Sequence, residues 1–262
     1  MIRAIKKCAV FVSLLAALLV SQVCADALQK PELIVATAAN YPPIVFEQDG
    51  ELRGLEVDLL KGVEAQLGQR LVLKTMAWDA LLPALEAGQV DMAMSGLTVT
   101  DERRQRVAFT EPYLVLAQMA IIRVADAARL GAPRALMTPG IRLGYERDST
   151  GEAYVMTLNG GRDAVAYADA EAGLRALMAG AIDGFIHDAP TSWYIATRPE
   201  YRSLMSLYRP LTSEPIALAV ARDQPALLQR LNAVLETLRE EGYVERITNR
   251  WMPVRVTVEG GP

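Results

Sequence analysis

The amino-acid sequence predicts an α/β protein of two lobes, each a mostly parallel β-sheet flanked by helices, joined by two hinge strands. From Glu32 onward, apolar segments typical of strands alternate with segments of helical periodicity, and such alternation is typical of parallel sheets. One helix–turn–strand pattern occurs twice, which indicates two similar halves. Two extended segments without Gly/Ser-rich composition connect these halves, so we expect a cleft between lobes that move about a hinge.

Residues 1–25 are typical of a secretory signal peptide, with a basic start followed by the short apolar run AVFVSLLAALLV. Cleavage is expected after Ala25 or Ala27, where small residues stand at the positions that the peptidase requires. The apolar run is shorter than the roughly 20 residues of a spanning helix. The residues before Cys24 lack the leucine of a lipoprotein signal, so we expect a periplasmic protein without a lipid anchor.

The mature chain is expected to carry no cysteine and a net negative charge. Both cysteines, Cys8 and Cys24, lie in the leader, so neither disulfide nor thiolate chemistry is expected. The formal net charge of −4 becomes −7 once the three basic residues of the leader are removed. An acidic exported protein is poorly suited to binding nucleic acid or anionic lipid.

The segment from Glu32 to Gly88 predicts two strand–helix pairs. ELIVATA and RLVLKTM have the composition of strands, and LEVDLLKGVEAQL places its leucines near one helical face. WDALLPALEAG predicts a second helix, with Asp79 as a candidate N-cap, Pro83 near its start and Gly88 as its stop.

The repeated unit comprises ALEAGQVDMAMSG, residues 84–96, and ALMAGAIDGFIHD, residues 176–188. Both contain the pattern Ala-Leu-x-Ala-Gly-x-(Val/Ile)-Asp and continue as a strand. Aligned without gaps, the two units end in residue pairs at the carboxyl ends of equivalent strands, where open α/β sheets bind their ligands. The pairs are Ser95-Gly96 and His187-Asp188.

Two segments are predicted to be extended crossings between the lobes: YLVLAQMAIIRV, residues 113–124, and YRPLTSEPIALAV, residues 208–220. After Pro225 the pattern becomes helical again, in ALLQRLNAVLETLREEG and ERITNRWM. The predicted boundaries are a signal peptide at 1–25, a first lobe at 26–113 and 215–262, a second lobe at 118–209, and hinge segments at 114–117 and 210–214.

A candidate anion site lies in SGLTVTDERRQRVAFTEPY, residues 95–113. Thr100 is placed to cap a short helix that carries two acidic residues in its first turn. Arg103 would then project toward the strand end near Gly96 and Thr98, where its guanidinium fork suits a carboxylate. Spacing alone leaves the alternative open that Arg103 is an ordinary solvated helix residue.

This segment resembles the signature of the bacterial extracellular solute-binding proteins of family 3, the polar amino-acid-binding subunits of ABC importers. The resemblance extends over the mature chain. ATAANYPPIVFEQDGELRGLEVDLLKGVEAQLG is similar to their opening strand, aromatic-proline turn and first helix, and MAWDALLPALEAGQVDMAMSGLTVT to their second unit. HDAPTSWYIA is similar to their second-lobe contact loop, and LNAVLETLREEGYVERITNRWM to their C-terminal helices. The motifs DER and HDAP resemble the glutamine-binding members in particular.

The resemblance implies a type II periplasmic-binding-protein fold, which captures an amino acid or close derivative by lobe closure and delivers it to the permease of an ABC importer. Arg103 would hold the ligand α-carboxylate, assisted by Thr98. Backbone groups at Gly96 and Thr150 would add donors, and Asp188 would pair with the α-ammonium. The implied ligand-binding residues are Tyr41, Trp78, Ser95, Gly96, Thr98, Arg103, Arg147, Thr150, Gly151, His187 and Asp188.

Three of these implied roles keep an alternative. Tyr41 and Trp78 stand where the family places aromatics that sandwich the ligand, but each could be an ordinary half-buried aromatic. YERDSTGEAY matches a second-lobe loop that leads into a helix, whose free backbone amides attract an anion. Arg147 in this loop would reach the ligand, clamp across the closed cleft, or remain solvated.

Two positions depart from the glutamine-binding pattern. Those members carry an acid in the opening strand that engages the ligand amide, and here Ala38 stands at that place, so glutamine itself is not the expected ligand. Asp148 replaces a residue that most members keep small or neutral, which adds a negative charge near the cleft. Sequence does not decide whether this charge favours a cationic ligand or is offset by Arg147.

An enzyme is the alternative function. No transition-metal site or cofactor is expected, because the mature chain has one histidine and no cysteine. The G-x-S-x-G elbow of serine hydrolases and the phosphate-binding loop of ATPases do not occur. Exported dehydratases of the same fold act on arogenate- or prephenate-like compounds. If this chain were such an enzyme, Glu146, Asp148 or Glu152 would be the acid that protonates the leaving hydroxyl. We favour binding, by a monomer, because an amino-acid clamp already accounts for the cleft residues.

His187 is the only histidine of the chain. Its sequence neighbour Asp188 is badly placed to orient its ring, so a catalytic triad is not expected. We predict a neutral imidazole that hydrogen-bonds near the ligand or across the cleft, with a purely structural role as the alternative.

Overall fold

The computed structural model describes residues 30–158 and 161–252. The predicted signal peptide with its two cysteines, and residues 253–262 of the predicted first lobe, lie outside the described residues. Short 3₁₀ helices occur at Trp78–Ala80, Val124–Asp126, Pro133–Met137 and Pro199–Tyr201. In chain order the strands are β1 (Glu32–Thr37), β2 (Asn40–Tyr41), β3 (Val45–Gln48), β4 (Glu51–Arg53), β5 (Arg70–Thr75), β6 (Met92–Ala93), β7 (Ala108–Phe109), β8 (Leu114–Leu116), β9 (Gln118–Arg123), β10 (Leu143–Glu146), β11 (Val165–Tyr167), β12 (Gly184–Asp188), β13 (Leu204–Ser206), β14 (Glu214–Ile216) and β15 (Ala219–Val220). The α-helices are α1 (Leu55–Leu67), α2 (Leu81–Glu86), α3 (Asp101–Arg106), α4 (Ala127–Leu130), α5 (Thr150–Thr157), α6 (Ala170–Met178), α7 (Ala189–Ala196), α8 (Pro225–Glu240) and α9 (Tyr243–Trp251).

The two main sheets have the same plan. The first has the strand order β5-β1-β6-β15-β7 and the second the order β11-β10-β12-β9-β13. In the first, β1 pairs in parallel with β5 and β6, whereas β15 is antiparallel to β6 and β7. In the second, β10 pairs in parallel with β11 and β12, whereas β9 is antiparallel to β12 and β13. Each of the two main sheets therefore has one strand, β15 or β9, that runs opposite to its neighbours. The predicted mostly parallel α/β fold is confirmed.

Both faces of each sheet are buried. In β1, the neighbours Val35 and Ala36 belong to different apolar clusters, because successive strand residues point to opposite faces. The helices α1, α8 and α9 pack together over the first of these faces, where Leu59 is fully buried, and α2 covers the second with Leu81. Each such leucine stabilises the fold by about 1.5–3 kcal/mol relative to exposure.

The helix α1 begins where a glycine allows the chain to turn closely. Gly54 has a φ of 129°, and a Cβ there would collide with the carbonyl oxygen of Ile44. The predicted helix LEVDLLKGVEAQL and both strands that flank it are confirmed, as are the two C-terminal helices.

The two predicted crossings are extended and pair with each other. Strand β8 is antiparallel to β14, with Leu116 opposite Glu214 and Leu114 opposite Ile216. The reversed strand of each sheet forms the later part of one of these crossings: β9 comes after β8, and β15 after β14. This two-stranded connection forms the hinge that the fold requires, whereas the exact lobe boundaries stay a prediction.

Two local predictions are wrong. Asp79 does not cap its helix, because the segment begins one residue earlier as a 3₁₀ turn that follows Ala77, and α2 starts only at Leu81. HDAPTSWYIA is not a loop: its first two residues end β12, and the rest forms α7 with Pro190 in the first turn, where proline is favoured.

Candidate functional site

A cleft between the two main sheets collects most of the predicted site residues. It is lined by the ends of β2, β6, β10 and β12, by the start of β9, and by the N-terminus of α5. The predicted residues that line it are Tyr41, Trp78, Ser95, Gly96, Thr98, Arg103, Thr150, His187 and Asp188. The lining residues that the sequence did not single out as ligand contacts are Asn40, Gln118, Glu146, Ser149 and Ala170.

The repeat places equivalent strand ends at this cleft. In each unit the backbone N–H of the aspartate donates 2.8 Å to the neighbouring strand, from Asp91 to the Ile34 carbonyl and from Asp183 to the Arg142 carbonyl. Each aspartate carboxylate accepts the N–H of that same partner residue, at 2.9 Å and 3.0 Å. The predicted equivalence of the two units is therefore confirmed at the level of single hydrogen bonds.

Arg103 is held in the cleft by the helix that Thr100 caps. The Thr100 hydroxyl accepts the Arg103 backbone N–H at 3.1 Å, which confirms the predicted cap. The Arg103 Nη1 donates to the Thr98 carbonyl and Nη2 to the Asp148 carbonyl, both at 3.1 Å. Arg103 is only 9% exposed whereas its neighbour Arg104 is exposed, so Arg103 is not an ordinary solvated residue.

Burial and nearby charges act on Arg103 in opposite directions. Burial lowers the pKa of Arg103, and the nearby carboxylates of Asp188 and Glu214 oppose that shift. The guanidinium also lies 5.3 Å from the centre of the Trp78 ring, within the range of a cation–π contact. Trp78 is therefore more than a half-buried aromatic, although its contact with a ligand stays a prediction.

Asp188 lines the cleft from the second sheet, at the end of β12. Its Oδ2 accepts the Tyr41 hydroxyl at 2.6 Å, and its Oδ1 accepts the amide of Gln118. Burial raises the pKa of Asp188; His187 opposes this shift and Glu214 adds to it. Burial and the contact with Asp188 also raise the pKa of Tyr41 well above its usual value, so the phenol keeps its proton and donates.

His187 contacts residues of its own lobe. Its Nε2 is 2.9 Å from Glu146 Oε2, and its Nδ1 is 2.8 Å from the Thr191 hydroxyl. Burial by itself lowers the pKa of His187, but the hydrogen bond to Glu146 and the surrounding carboxylates outweigh it, so the pKa lies above its usual value. The carboxylate of Glu146 thus favours the protonated form of the ring, while the neutral imidazole stays a prediction. The hydrogen bonds of the ring to Glu146 and Thr191 do not cross the cleft, and a hydrogen bond near the ligand stays a prediction. Across the cleft, the ring only meets Tyr41 edge-on, at 5.9 Å between centres.

The buried carboxyl group of Glu56 is hydrogen-bonded to the strand end of the first lobe at Gly96. The Gly96 N–H donates to Glu56 Oε1 at 2.7 Å, and the Tyr113 hydroxyl donates to the same oxygen. Burial raises the pKa of Glu56 to about 7, against the lowering effect of these hydrogen bonds. Gly96 has a φ of 66°, and a Cβ there would press against the Tyr41 ring. Its backbone N–H is therefore committed to Glu56.

Ser95 joins this strand end to its neighbour. Its hydroxyl donates to the Ala38 carbonyl at 3.1 Å and accepts the Ala38 N–H at 3.3 Å. Ser95 is buried and its hydroxyl is already engaged by backbone groups. A direct contact of Ser95 with a ligand stays a prediction.

The second-lobe loop reaches the first lobe through a carbonyl. Asp148 has a φ of 59°, and its carbonyl accepts the Trp78 indole N–H at 3.3 Å as well as Arg103. Its own N–H donates to Glu152 Oε2 at 2.7 Å, while the Ser149 hydroxyl caps α5. The lobes are therefore in contact across the cleft.

Two predicted residues do not line the cleft. Arg147 is exposed, and its backbone N–H donates to the Tyr167 carbonyl at 3.0 Å. Gly151 is buried beside Gln118, where a Cβ would lie 3.0 Å from the Gln118 Oε1. Contact of either residue with a ligand stays a prediction, and the structure gives Gly151 a second role in making room for Gln118.

Four residues hydrogen-bond to predicted cleft residues but were not themselves predicted to contribute to binding: Glu56, Gln118, Glu146 and Glu214. Gln118 and Glu214 do carry a sequence signal, since each is a polar side chain in an otherwise apolar predicted crossing. Glu56 follows directly after the first residue of an amphipathic helix, where an acid is common for reasons of the helix dipole alone. The sequence contained no signal for its burial.

Residues 30–158 and 161–252 contain neither a metal-binding cluster of side chains nor a helix suited to crossing a membrane. No cluster of three or more His, Cys, Asp or Glu side chains there is arranged to hold a metal ion. Across the same residues, none of the helices has both the length and the apolar composition needed to span a membrane.

Comparison with known proteins extends over nearly the same part of the chain. The profile of the bacterial extracellular solute-binding proteins, family 3, matches residues 33–254. ABC transporter arginine-binding protein 1 of Escherichia coli K12 is 29% identical over 226 residues, which cover 82% of this chain and 88% of that protein.

Two solved structures share the architecture. An ancestral arginine-binding protein bound to glutamine superposes with a TM-score of 0.79 at 26% identity, covering 86% of this chain and all of that one. An ancestral amino-acid-binding protein described as a precursor of cyclohexadienyl dehydratase superposes with a TM-score of 0.76 at 25% identity, covering 84% of this chain and 95% of that one. The predicted two-lobed binding-protein fold is confirmed.

Proposed function

We infer the function of this chain from one premise: it belongs to the bacterial extracellular solute-binding proteins, family 3. The cleft captures an amino acid or a close derivative by closure of the two lobes. The loaded protein then delivers this ligand, in the periplasm, to the membrane permease of an ABC importer. The observation that carries this proposal is the placement of a buried guanidinium, Arg103, and a carboxylate, Asp188, in one cleft.

The Arg103 end of the cleft suits a carboxylate. A guanidinium has five N–H donors, and two carbonyls engage Nη1 and Nη2, so donors remain for a ligand. The contact with the Thr98 carbonyl orients the fork within the first lobe, and the Asp148 carbonyl adds a second contact when the lobes close. A preorganised, desolvated cation binds a carboxylate more strongly than a mobile surface arginine does.

The Asp188 end suits an ammonium group. Asp188 brings a carboxylate to the cleft, and the Tyr41 hydroxyl and the Gln118 amide hold it in place. A ligand with one carboxylate and one ammonium group would satisfy both ends, which is the common part of every α-amino acid. The relatives whose names mention arginine and glutamine support this ligand class.

The remaining features of the proposal follow from its parts. The cleft is complete within one chain, which supports a monomer as the working form. The predicted signal peptide, residues 1–25, would export the protein, and the crossings at 114–117 and 210–214 would serve as the hinge. The first lobe would comprise 26–113 and 215–262, and the second lobe 118–209.

The proposal is tested by a thermal-shift screen of the common amino acids, followed by calorimetry with the best ligand. We expect at least one amino acid to raise the melting temperature, because a ligand that binds only the folded state stabilises it. Arg103→Ala should weaken binding by about 100-fold, since it removes a desolvated charge partner. Arg104→Ala, on the same helix but exposed, is the matched control and should bind as the wild type does. Unchanged affinity of Arg103→Ala would contradict the carboxylate role.

A dehydratase is the second candidate. Two observations favour it: one solved relative is described as a precursor of cyclohexadienyl dehydratase, and the ionisable Glu146 lines the cleft. Against it, Glu146 is already paired with His187 and supports the proton there, not on a leaving group. We therefore propose a binding protein without catalysis. Turnover of arogenate or prephenate by the purified chain, followed by ultraviolet absorbance of the aromatic product, would reverse this conclusion.

A further inference from the structure

Glu214 occupies a special place on the hinge. It begins β14, is only 5% exposed, and both its carboxylate oxygens are hydrogen-bonded. Oε1 accepts the Thr212 hydroxyl at 2.6 Å, from the same crossing. Oε2 accepts hydroxyls from Thr98 at 2.9 Å and from Thr150 at 2.6 Å, and the Gln118 amide lies 3.5 Å away.

The two hydroxyls on Oε2 come from different lobes. Thr98 follows β6 of the first sheet, and Thr150 begins α5, which packs against the second sheet. One carboxylate oxygen thus holds both lobes at the base of the cleft, close to the hinge. Rotation of the lobes away from each other would separate Thr98 from Thr150, and the oxygen could keep at most one of them.

We propose that Glu214 is a positioning residue for ligand capture: from the hinge, its carboxylate ties Thr98 to Thr150 and stabilises the closed arrangement without binding the ligand. This inference rests on the proposed function, because it concerns the same cleft and its closure. A tie of this kind makes the closed form partly populated before any ligand binds. Apparent affinity rises with the populated fraction of the binding-competent form.

The same contacts set the polarity of the cleft base. Each threonine hydroxyl has one hydrogen, and both hydrogens are donated to Glu214, so the two oxygens can only accept from a ligand. The Gln118 amide nitrogen must face Asp188 and Glu214, because its carbonyl oxygen would be repelled by two carboxylates. At the cleft base, the two threonine hydroxyls therefore offer acceptors to a ligand, whereas the neighbouring Arg103 guanidinium offers donors.

The test measures the distance between the lobes directly. Spin labels are attached to cysteines introduced at the exposed positions Asp101 and Thr157, on α3 and α5, in a full chain whose Cys8 and Cys24 are replaced by serine. Pulsed electron resonance then reports the distance distribution without added amino acid, and again with L-arginine and with L-glutamine. The variants are Glu214→Gln and, as a matched carboxylate bonded within one lobe, Glu64→Gln.

We expect the wild type and Glu64→Gln to show a closed population without added amino acid. In Glu214→Gln the ratio of closed to open forms should fall about tenfold, the size of one lost charge-assisted hydrogen bond. A distribution in Glu214→Gln that matches Glu64→Gln would overturn the proposal. A wild type that shows only the open distance without amino acid would overturn it as well.

A second variant guards against misfolding. If Glu214→Gln loses its helical circular dichroism, Thr150→Val is used instead, because it removes the second-lobe donor and leaves the carboxylate in place. It should also open the lobes, and an unchanged distribution would contradict the role of Glu214. If no amino acid binds but Glu214→Gln still opens the lobes, the ligand class fails and the hinge role stands. If an amino acid binds and neither variant opens the lobes, only the hinge role fails.

Discussion

The two repeat units, 84–96 and 176–188, share a backbone frame and differ at their ends. Each turns at a left-handed glycine, Gly88 with a φ of 66° and Gly180 with a φ of 75°. The turns close with equal hydrogen bonds of 3.1 Å, from Gly88 N to Leu85 O and from Gly180 N to Leu177 O. The frame thus depends on glycine, aspartate and apolar spacing, which the two units have in common.

The strand ends differ in charge. Pairing of Val35 with Met92 and of Leu143 with Gly184 makes Ala38 and Glu146 equivalent positions. In the first lobe, Ser95 joins its strand end to Ala38 through backbone groups, and both side chains are neutral. In the second lobe, the equivalent contact is the hydrogen bond between the two ionisable side chains of His187 and Glu146.

This comparison shows how one frame can serve two chemistries. The glycine turn and the aspartate hydrogen bonds fix the backbone conformation of each unit. The last two residues, Ser95-Gly96 and His187-Asp188, line the cleft and differ between the units. The first lobe therefore contributes a neutral strand end beside Arg103, and the second contributes ionisable groups around Asp188. Such an asymmetric cleft suits a ligand with opposite charges at its two ends.

The largest expected effect is a pH dependence of stability set by Glu56, the buried acid that accepts the Gly96 N–H in the first lobe. Burial raises the pKa of Glu56 from 4.5 to about 7, so the folded chain holds this proton more tightly than the unfolded chain does. Its contribution to stability is present below about pH 4.5 and is lost as the pH rises to about 7, a change of about 3 kcal/mol. Glu56→Gln should remove this loss, and urea unfolding at about pH 5 and about pH 8 measures it.

The titratable groups that act on Glu56 are Tyr113 and Tyr41, and both keep their protons over this range. His187 adds a loss of the same sign, because its raised pKa favours the folded state until the pH passes that pKa. The control is therefore His187→Gln, which should keep the loss of stability with rising pH that is due to Glu56. Equal losses in wild type and Glu56→Gln would show that this acid does not set the pH dependence.

The equivalent aspartates should show unequal costs. Asp91 accepts the Ile34 N–H, and Asp183 accepts the Arg142 N–H plus the Arg142 side chain at 3.1 Å. Asp91 also pairs with the exposed Lys30, whereas Asp183 pairs with Arg123, Arg129 and Arg142. We expect Asp91→Asn to cost about 1 kcal/mol and Asp183→Asn about 2 kcal/mol of unfolding free energy, because the second loses more charged partners. Urea unfolding of both variants provides the comparison. A larger loss for Asp91→Asn would mean that the two frames are not equivalent.

The smallest expected effects are the losses of stability on replacing the turn glycines, and these losses should be equal in the two units. Gly88 and Gly180 both have positive φ, and a Cβ at either position would meet open space. Alanine at each should therefore cost about 1 kcal/mol, through backbone strain alone. Thermal unfolding of Gly88→Ala and Gly180→Ala tests this, with ligand affinity expected to stay unchanged in both. A difference well above 1 kcal/mol between them would reveal a contact at one turn that the other lacks.

Local patterns predicted much of the fold correctly. The strands, the helix LEVDLLKGVEAQL, the Thr100 cap and the repeat all depend on residues within a few positions of each other, so spacing suffices to find them. Asp79 as a cap was wrong because the segment begins as a 3₁₀ turn after Ala77, which places Asp79 inside that turn. The hydrogen bond of His187 with Glu146 was not predicted, because Glu146 is 41 residues away in the sequence.

The sequence by itself determined the two-lobed α/β plan, the doubled unit and the candidate ends of the cleft, because periodicity and turn residues act over short distances. Only the tertiary structure decided which charges meet there. Glu214 lies 116 residues from Thr98 and 64 from Thr150, and Glu56 lies 40 from Gly96. Such contacts form only when strand ends from both halves converge, and burial then sets the charge of each group. Whether a polar side chain becomes a surface residue or the centre of a site therefore depends on packing that spacing does not encode.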